Sequence, residues 1–222
     1  MLFDCAAMTA AEIYPLLAGT VIPRPIAWVS TCDDKGHSNL APFSFFQLIT
    51  DSPPTLMISI NRHGDGSQKD SSLNLQLCPE LVVHLVTPEL AALMNATAAG
   101  FSKEVSEIAA LQIQTKTAIK VRPPRVVASP VCFECKVVSL TPYPAEKPSC
   151  DIVLAEVLCI DIADELLDNQ QKLKHTELDF LARLGGLWYS HSQQPDNFQL
   201  ARPASAEAAL LQQQTPINKG TA

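Results

Sequence analysis

The sequence predicts a mainly β protein, an antiparallel barrel with accessory helices. Three observations support this prediction: strand-like runs outnumber helical ones, the first two runs are joined by a short turn, and long strand-like runs return late in the chain. A short turn joins neighbouring strands antiparallel, whereas a parallel pair needs a crossover of roughly a dozen residues or more. With 222 residues the chain is long enough to bury one full core.

The first half of the chain alternates strand and helix signals. Residues 9–19 predict a short helix. Strand-like runs follow at 26–31, 38–41 and 55–60. The third run is preceded by Pro53-Pro54, which stops any element before it. A further helix is predicted from about Lys69, with Asp70 or a nearby serine as its N-cap.

The second half of the chain is dominated by strand signals. LVVHLV (81–86) predicts a short buried strand, and Pro88 opens a helix through Asn95. Residues 97–124 show no clear helical or strand-like hydrophobic periodicity. Long strands are predicted at 131–140 and 151–162, followed by closing turn and strand segments in RLGGLWYS and NFQLARP. We therefore expect one domain over residues 1–203 and a flexible tail over 204–222.

Composition and charge exclude several classes of protein. The formal charge of −7 and the pI near 5.2 argue against general nucleic-acid binding, which needs a basic face. The sequence contains no run near the roughly 18 apolar residues of a membrane span. The N-terminus, Met1-Leu2-Phe3-Asp4, lacks the basic start of a signal peptide, so a cytoplasmic location is expected.

The seven cysteines are scattered through the chain and do not suggest a disulfide framework. Cys132 and Cys135 form a CxxC motif inside the strand-like run VCFECKVVSL. Residues three apart on a strand point to opposite faces, so we interpret the pair as ordinary thiols. A zinc or redox site is the alternative, and no metal site is predicted.

Familiar catalytic motifs are absent from the sequence, which has no GxSxG, GxxxxGK[ST], HExxH or GxGxxG motif. His84, in the buried run, faces either the core or a site. No nucleophile is paired with a base, and no catalytic side chain is predicted. If the protein is an enzyme, a cofactor supplies the chemistry.

The segment RPIAWVSTCDDKGHSNLAPFSFF (24–46) has the polarity expected around a flat heteroaromatic ring. Thr31, Asn39 and Ser44 offer hydrogen-bonding groups for the edge of such a ring, while Ala41 and Pro42 keep the backbone close. Trp28 and Phe45 are expected to cover part of its face. The alternative is a core hairpin with polar edges.

The following loop, GSQKDSSLN (66–74), predicts a binding site for one phosphate group. Lys69 offers a positive charge and the neighbouring serines offer hydroxyls, where a helix is predicted to begin. Backbone N–H groups at a helix start, together with a cation, suit an anion. The alternative is a capped helix with a solvated lysine.

A resemblance to a known family rests on the segment 24–46 and on these further motifs: PP before a strand, KDS-x-x-N, LVVHLV…MNAT, RPPRV, FECKV, DIVLAEV and RLGG-x-x-Y. With these motifs the sequence resembles the flavin-reductase-like family of FMN-binding split barrels over roughly residues 10–203. The resemblance implies a six-stranded antiparallel Greek-key barrel, a homodimer, and FMN near the subunit interface. Transferred to matching positions, it implies that the flavin is lined by Thr31, Asn39, Ala41, Pro42, Ser44 and Phe45. It also implies that the phosphate or ribityl chain is held by Lys69, Asp70 and Ser71.

The resemblance implies an NAD(P)H-dependent flavin oxidoreductase that passes electrons to free flavin, a partner oxygenase or another acceptor. The alternative is an FMN-binding electron carrier of the flavoredoxin type, without its own reductase activity. His84 and Asp161 depart from the family, which often carries Asn and His there. These departures are expected to affect the reaction side of the pocket more than FMN binding.

Overall fold

The computed structural model describes residues 1–102 and 105–212, with only the backbone described for 211 and 212. The chain divides into two compact units, Met1–Ser192 and Gln193–Ala222. The helices are α1 (Ala10–Thr20), α2 (Asp70–Leu77), α3 (Ala91–Ala96), α4 (Glu107–Ala110) and α5 (Ala206–Gln212). The strands are β1 (Arg24–Pro25), β2 (Ala27–Cys32), β3 (Ser38–Phe43), β4 (Phe46–Asp51), β5 (Pro54–Asn61), β6 (Glu80–His84), β7 (Thr115–Lys116), β8 (Arg125–Val126), β9 (Val131–Tyr143), β10 (Cys150–Ile162), β11 (Leu181–Arg183) and β12 (Tyr189–His191).

The predicted mainly β, antiparallel class is confirmed. Across the described residues, seven strands form one sheet in the order β3-β2-β6-β9-β10-β5-β4, and every paired neighbour runs antiparallel. Its two edge strands, β3 and β4, are joined by only Ser44 and Phe45. The three peptide steps from Phe43 to Phe46 span at most about 11 Å of extended chain, so the sheet must curl until its edges meet at this corner.

The main sheet has one strand more than the six that were expected. Phe46–Asp51 carried no predicted element, yet it pairs with β5 over most of its length. Four of its six residues are exposed and the other two are half-buried, so its pattern lacks the alternation that marks a half-buried strand. Pairing with a buried neighbour, rather than local sequence, makes this segment a strand.

The helices largely begin where the sequence predicts. Thr9 caps α1 and exchanges hydrogen bonds with Glu12 in a capping box. The N-cap of α2 is Lys69, not Asp70 or a serine, and it makes no side-chain cap bond. Pro88 opens a 3₁₀ turn that continues into α3. None of the described helices combines the length and the apolar character needed to cross a bilayer.

Two large apolar clusters, with a small third one around Val82, Val121 and Cys132, hold the first unit together. One fills the inside of the curled sheet, with fully buried members from four strands: Ala27, Leu81, Val83, Cys135, Val153 and Ala155. The other joins β2 and β3 to α3 and the chain that follows it, around Trp28, Leu40 and Met94. Because β2 has neighbours on both edges and apolar layers on both faces, all six of its residues are buried.

The second unit has little regular structure among its described residues. Its described part, residues 193–212, contains a turn closed by Asn197 N–H to the Gln194 carbonyl (3.0 Å) and helix α5. The strand predicted in NFQLARP is wrong, because residues 197–203 pair with no described strand and Leu200 is exposed. The flexible tail predicted from 204 includes α5, and residues 213–222 lie outside the described residues.

Candidate functional site

The corner where β3 leads into β4 forms an open crevice. Two adjoining pockets of about 150 and 130 Å³ meet there, and both are lined by Tyr14, Pro42, Phe43 and Ser44. We call this the Ser44 crevice. Because four residues are common to both pockets, the crevice is continuous across Ser44 and has two distinct ends.

The first end of the Ser44 crevice is polar and carries a cation. It is lined by Phe45, Ser59, Asn61 and Lys69. Across the described part of the chain, the Lys69 ammonium has no hydrogen-bond or ion-pair partner. Lys69 also begins α2 without a side-chain cap, so no side chain at the N-cap accepts from the first-turn N–H groups. This end is suited to an anion.

A buried ion pair fixes the loop that leads into Lys69. Asp151 of β10 is fully buried and accepts from Arg62 Nη2 (2.6 Å) and Gln68 Nε2 (3.0 Å). Burial alone raises the pKa of Asp151, but the hydrogen bonds from Arg62 and Gln68 outweigh it and the pKa is lowered. The carboxylate therefore stays charged and ties both ends of the 62–68 loop to the sheet.

The second end of the Ser44 crevice is formed by α3 and the β11–β12 hairpin. Arg183 lies over the ring of Tyr189, 4.5 Å from its centroid, and donates to the Tyr189 hydroxyl and the Gly186 carbonyl (2.6 Å). The Tyr189 hydroxyl is 3.4 Å from Asn95 Oδ1. Arg183, Tyr189 and Asn95 all line this end. Its cation is therefore already engaged, unlike Lys69.

Helix α1 lies beside the crevice because two contacts hold its C-terminal end. The buried Arg24 donates to the Val21 carbonyl (2.7 Å) and the Leu184 carbonyl (3.1 Å), so its role is structural. A Cβ on Gly185 would lie 2.7 Å from the Gly19 Cα, so only glycine permits this approach. Tyr14 of α1 consequently lies 6.5 Å from the Phe45 ring.

The predicted flavin residues lie in three places: the crevice, a separate cavity and the buried interior. Pro42, Ser44, Phe45 and Lys69 line the crevice. Asn39 and Asp70 line a separate cavity of about 820 Å³ between the β2–β3 hairpin, α2 and residues 105–109. Ala41, half-buried, packs against the apolar cluster inside the sheet.

Trp28, Thr31 and Ser71 are buried rather than exposed to either space. Thr31 Oγ1 accepts from Asn74 Nδ2 (3.2 Å), and Ser71 is hydrogen-bonded to Asn39 (2.9 Å). The expectation that Trp28 covers a bound ring is wrong. Its side chain is fully buried, its indole N–H donates to Thr97 Oγ1 (2.9 Å), and its ring lies edge-on to His84.

Replacing Trp28 with Phe should therefore lower stability without changing cofactor affinity. Loss of the indole N–H and of ring volume is expected to reduce the free energy of unfolding by about 1–3 kcal/mol. Urea unfolding measures the first effect and flavin titration the second. The matched control is Trp188→Phe, since Trp188 is 75% exposed and its change should cost little. A higher dissociation constant for flavin in Trp28→Phe would contradict the assignment of Trp28 to the core rather than to the flavin site.

Glu107 is a buried acid that the sequence did not reveal. It lies on α4 and accepts from the Leu40 N–H (3.0 Å). With the Asn39 amide oriented to satisfy both of its ends, the amide nitrogen lies 3.3 Å from Glu107 Oε1. Burial raises the pKa of Glu107, although the Leu40 hydrogen bond acts against it. Glu107 lies in the 97–124 segment, which has no clear hydrophobic periodicity, so nothing in the sequence indicated that this side chain is buried.

The two departures from the family lie outside the crevice lining. His84 donates from Nδ1 to the Trp28 carbonyl (2.8 Å) and accepts at Nε2 from the Val126 N–H (2.9 Å). Burial lowers its pKa to about 4, so it is a neutral core histidine. Asp161 pairs with Arg125 (2.5 Å) and Lys116 (3.1 Å). Neither residue lines the crevice, so the expected effect on its polarity is not supported.

The CxxC cysteines are free thiols in strand β9. Cys135 packs in the cluster inside the sheet, whereas Cys132 packs in a different cluster with Val82 and Val121. Among the residues that the structure describes, no three His, Cys, Asp or Glu side chains are grouped to hold a metal ion. The pair thus behaves as two separate core thiols.

Comparison with known proteins agrees with this architecture. A family model described as "Flavin reductase like domain" matches residues 18–183. An uncharacterized protein of Aquifex aeolicus is 36% identical over 177 residues, which are 80% of this chain and 88% of that protein.

Two crystal structures are also similar to this chain. Nitrilotriacetate monooxygenase component B from Bacillus cereus gives a TM-score of 0.84 at 28% identity, covering 90% of this chain and 98% of that one. The 2-nitrobenzoate 2-nitroreductase of Pseudomonas fluorescens gives 0.82 at 25% identity, covering 93% and 100%. The chain therefore belongs to the flavin reductase-like domain family.

Proposed function

We propose that this protein binds FMN in the Ser44 crevice and catalyses NAD(P)H-dependent reduction of the flavin. The supporting observation is the Lys69 ammonium, which has no partner among the described residues and lies at one end of a crevice walled by aromatic side chains. A phosphorylated aromatic cofactor needs this pairing, with a cation for the phosphate and apolar surface for the ring. The family membership of the chain agrees with a flavin as that cofactor.

The residues of the crevice suit the chemical groups of FMN and indicate which end of the cofactor would lie at which end of the crevice. Lys69 would hold the phosphate, since Arg183 at the other end is already bonded to Tyr189 and Gly186. Pro42 and Phe43 provide the floor common to both pockets. The two pockets together enclose about 280 Å³, still below the roughly 300 Å³ of a small ligand site, so the cofactor would lie across both and keep one side open to solvent.

Bound flavin supplies hydride-accepting chemistry, which the side chains of the protein do not. The tasks left to this chain are positioning and charge stabilisation. Arg183, held on Tyr189, would place a fixed positive charge beside the ring-binding end, where it favours negative charge on the reduced cofactor. This division of work accounts for the absence of a nucleophile–base pair in the sequence.

The names of the two similar structures support two candidate acceptors of the electrons. One is component B of a monooxygenase and the other is a nitroreductase. We favour a partner oxygenase, because the component B structure has the higher TM-score and identity. In that case the open side of the crevice is where reduced flavin leaves.

A homodimer is part of the proposal. Val138 on β9 and Leu158 and Ile160 on β10 are exposed apolar side chains on neighbouring strands. Val138 lies several residues along the strand pair from Leu158 and Ile160, so these side chains do not form one patch, and the dimer is proposed because the family resemblance implies one. Light scattering on the purified protein should give twice the mass of the 24.1 kDa chain, and a monomer at assay concentration would contradict the proposal.

The reductase activity is tested by mixing the FMN-loaded protein with NADH or NADPH in the absence of air. We expect the visible absorption band of the flavin to bleach at catalytic rates with at least one nucleotide. Bound flavin that neither nucleotide bleaches would contradict the reductase and leave an electron carrier. Failure to take up FMN at all would contradict the site itself.

A further inference from the structure

Two buried thiols from distant parts of the sequence lie side by side. Cys32 ends β2 and Cys78 follows the last residue of α2, and their Sγ atoms are 3.7 Å apart. Each residue is only 2% exposed. Both are reduced in the structure. A disulfide has an S–S distance of about 2.05 Å, so closing the bond requires a movement of under about 2 Å.

We propose that Cys32 and Cys78 form an intramolecular disulfide when the protein is oxidised by a hydroperoxide. One thiol is first oxidised to a sulfenic acid, with transfer of one oxygen and release of an alcohol or water. The second thiol then displaces water from that sulfenic acid. In total, two thiols and one hydroperoxide give one disulfide, one water and one alcohol, or two waters when the oxidant is hydrogen peroxide.

Cys78 is the thiol that a small oxidant reaches first. It caps the C-terminal end of an eight-residue helix, and its neighbours Leu77 and Pro79 are exposed. Opening of this last turn exposes the Sγ atom without disturbing the sheet, because helix ends open most readily. Cys32 lies within the pairing of β2 with β3 and therefore acts as the resolving thiol.

The resolving step, in which Cys32 attacks the oxidised Cys78, is expected to be slow in the closed state. Burial and the neighbouring Cys78 raise the pKa of the Cys32 thiol to about 12, and Glu80 acts in the same direction while Arg122 opposes it. The thiolate is the reactive form, so little of it is present at neutral pH. The pair would therefore respond to sustained oxidation rather than to brief exposure.

The bond would connect two walls of the 820 Å³ cavity. Asp33 follows Cys32 and Leu77 precedes Cys78, and both line this cavity. Asn74 already joins α2 to β2 through Thr31, one helical turn before Cys78. A disulfide one turn beyond Asn74, at the C-terminal end of α2, would fix the distance between α2 and the β2–β3 hairpin. The inference does not depend on where flavin binds.

The test uses the full-length Cys5→Ser protein, since Cys5 is exposed and would cross-link separate molecules. The protein is incubated with hydrogen peroxide, alkylated under denaturing conditions, digested and analysed by mass spectrometry. We expect a Cys32–Cys78 linked peptide, loss of two alkylatable thiols, and full reversal by dithiothreitol. A rise of several degrees in Tm should accompany the link, since it closes a long loop.

Cys78→Ser and Cys135→Ser serve as matched single variants in the same background. The first should abolish the linked peptide and leave Cys32 alkylatable, whereas the second should retain the linked peptide. Absence of the linked peptide from the oxidised parent protein would overturn the proposal. So would loss of the Cys32 thiol at an equal rate in Cys78→Ser.

Discussion

Lys69→Ala is expected to weaken FMN binding by about 1–3 kcal/mol, or roughly 5- to 150-fold in the dissociation constant. The physical reason is that the ammonium is the only cation lining the polar end of the Ser44 crevice in the described structure. Removing it deletes a charge-assisted hydrogen bond to the phosphate. Quenching of flavin fluorescence during titration with protein measures the effect.

Two control variants separate this role from general changes in charge or folding. Lys35→Ala removes a lysine that lines the other cavity, and its flavin affinity should equal that of the unmodified protein. Lys69→Arg keeps the positive charge and should recover most of the affinity. The N-cap of α2 makes no side-chain bond, so the Tm of Lys69→Ala should change little. An unchanged dissociation constant would remove Lys69 from the site.

Acidification from pH 6.5 to about 4.5 should destabilise the protein through His84. Burial lowers the pKa of His84 from 6.5 in the unfolded chain to about 4 in the fold. Within this window the unfolded state binds a proton that the folded state does not, so stability falls as the pH falls. The full shift of about 2.5 pH units corresponds to roughly 3 kcal/mol, most of it lost by pH 4.5.

Urea unfolding as a function of pH measures this loss, and His84→Asn isolates it. The variant should be less stable at neutral pH, yet its stability should depend less on pH between 6.5 and 4.5. Carboxyl contributions, including the opposing one from the raised pKa of Glu107, are common to both proteins and cancel in the comparison. His63→Asn, which removes an exposed histidine, should keep the original slope. Equal slopes in the parent protein and His84→Asn would contradict the buried neutral state.

Much of the fold could be predicted because its signals are local. The helix beginning after Thr9 and the buried strand before His84 depend on caps, periodicity and apolar runs that lie within a few residues. Strand β4 could not be predicted, because its six residues carry no alternation and only its partner β5 makes it a strand.

The candidate site was predicted in part for the same reason. Ser44, Phe45 and Lys69 lie at a strand corner and a helix start, where sequence motifs are informative. Arg183 and Tyr189 line the crevice although they are far away in the sequence, and RLGG-x-x-Y alone did not indicate that. Trp28 was assigned to the ring because it neighbours polar residues, but strands on both sides of β2 bury it.

The sequence by itself determined the antiparallel class, the positive charge at the start of α2 and the polar corner after β3, since these depend on neighbouring residues. Only the tertiary structure decided which of those side chains share a crevice, that His84 is neutral and that Cys32 meets Cys78. The last two facts arise from contacts between residues more than 40 positions apart, such as the 3.7 Å between the two sulfur atoms. Sheet curvature brings such residues together, and curvature is a property of the whole set of paired strands rather than of any one segment.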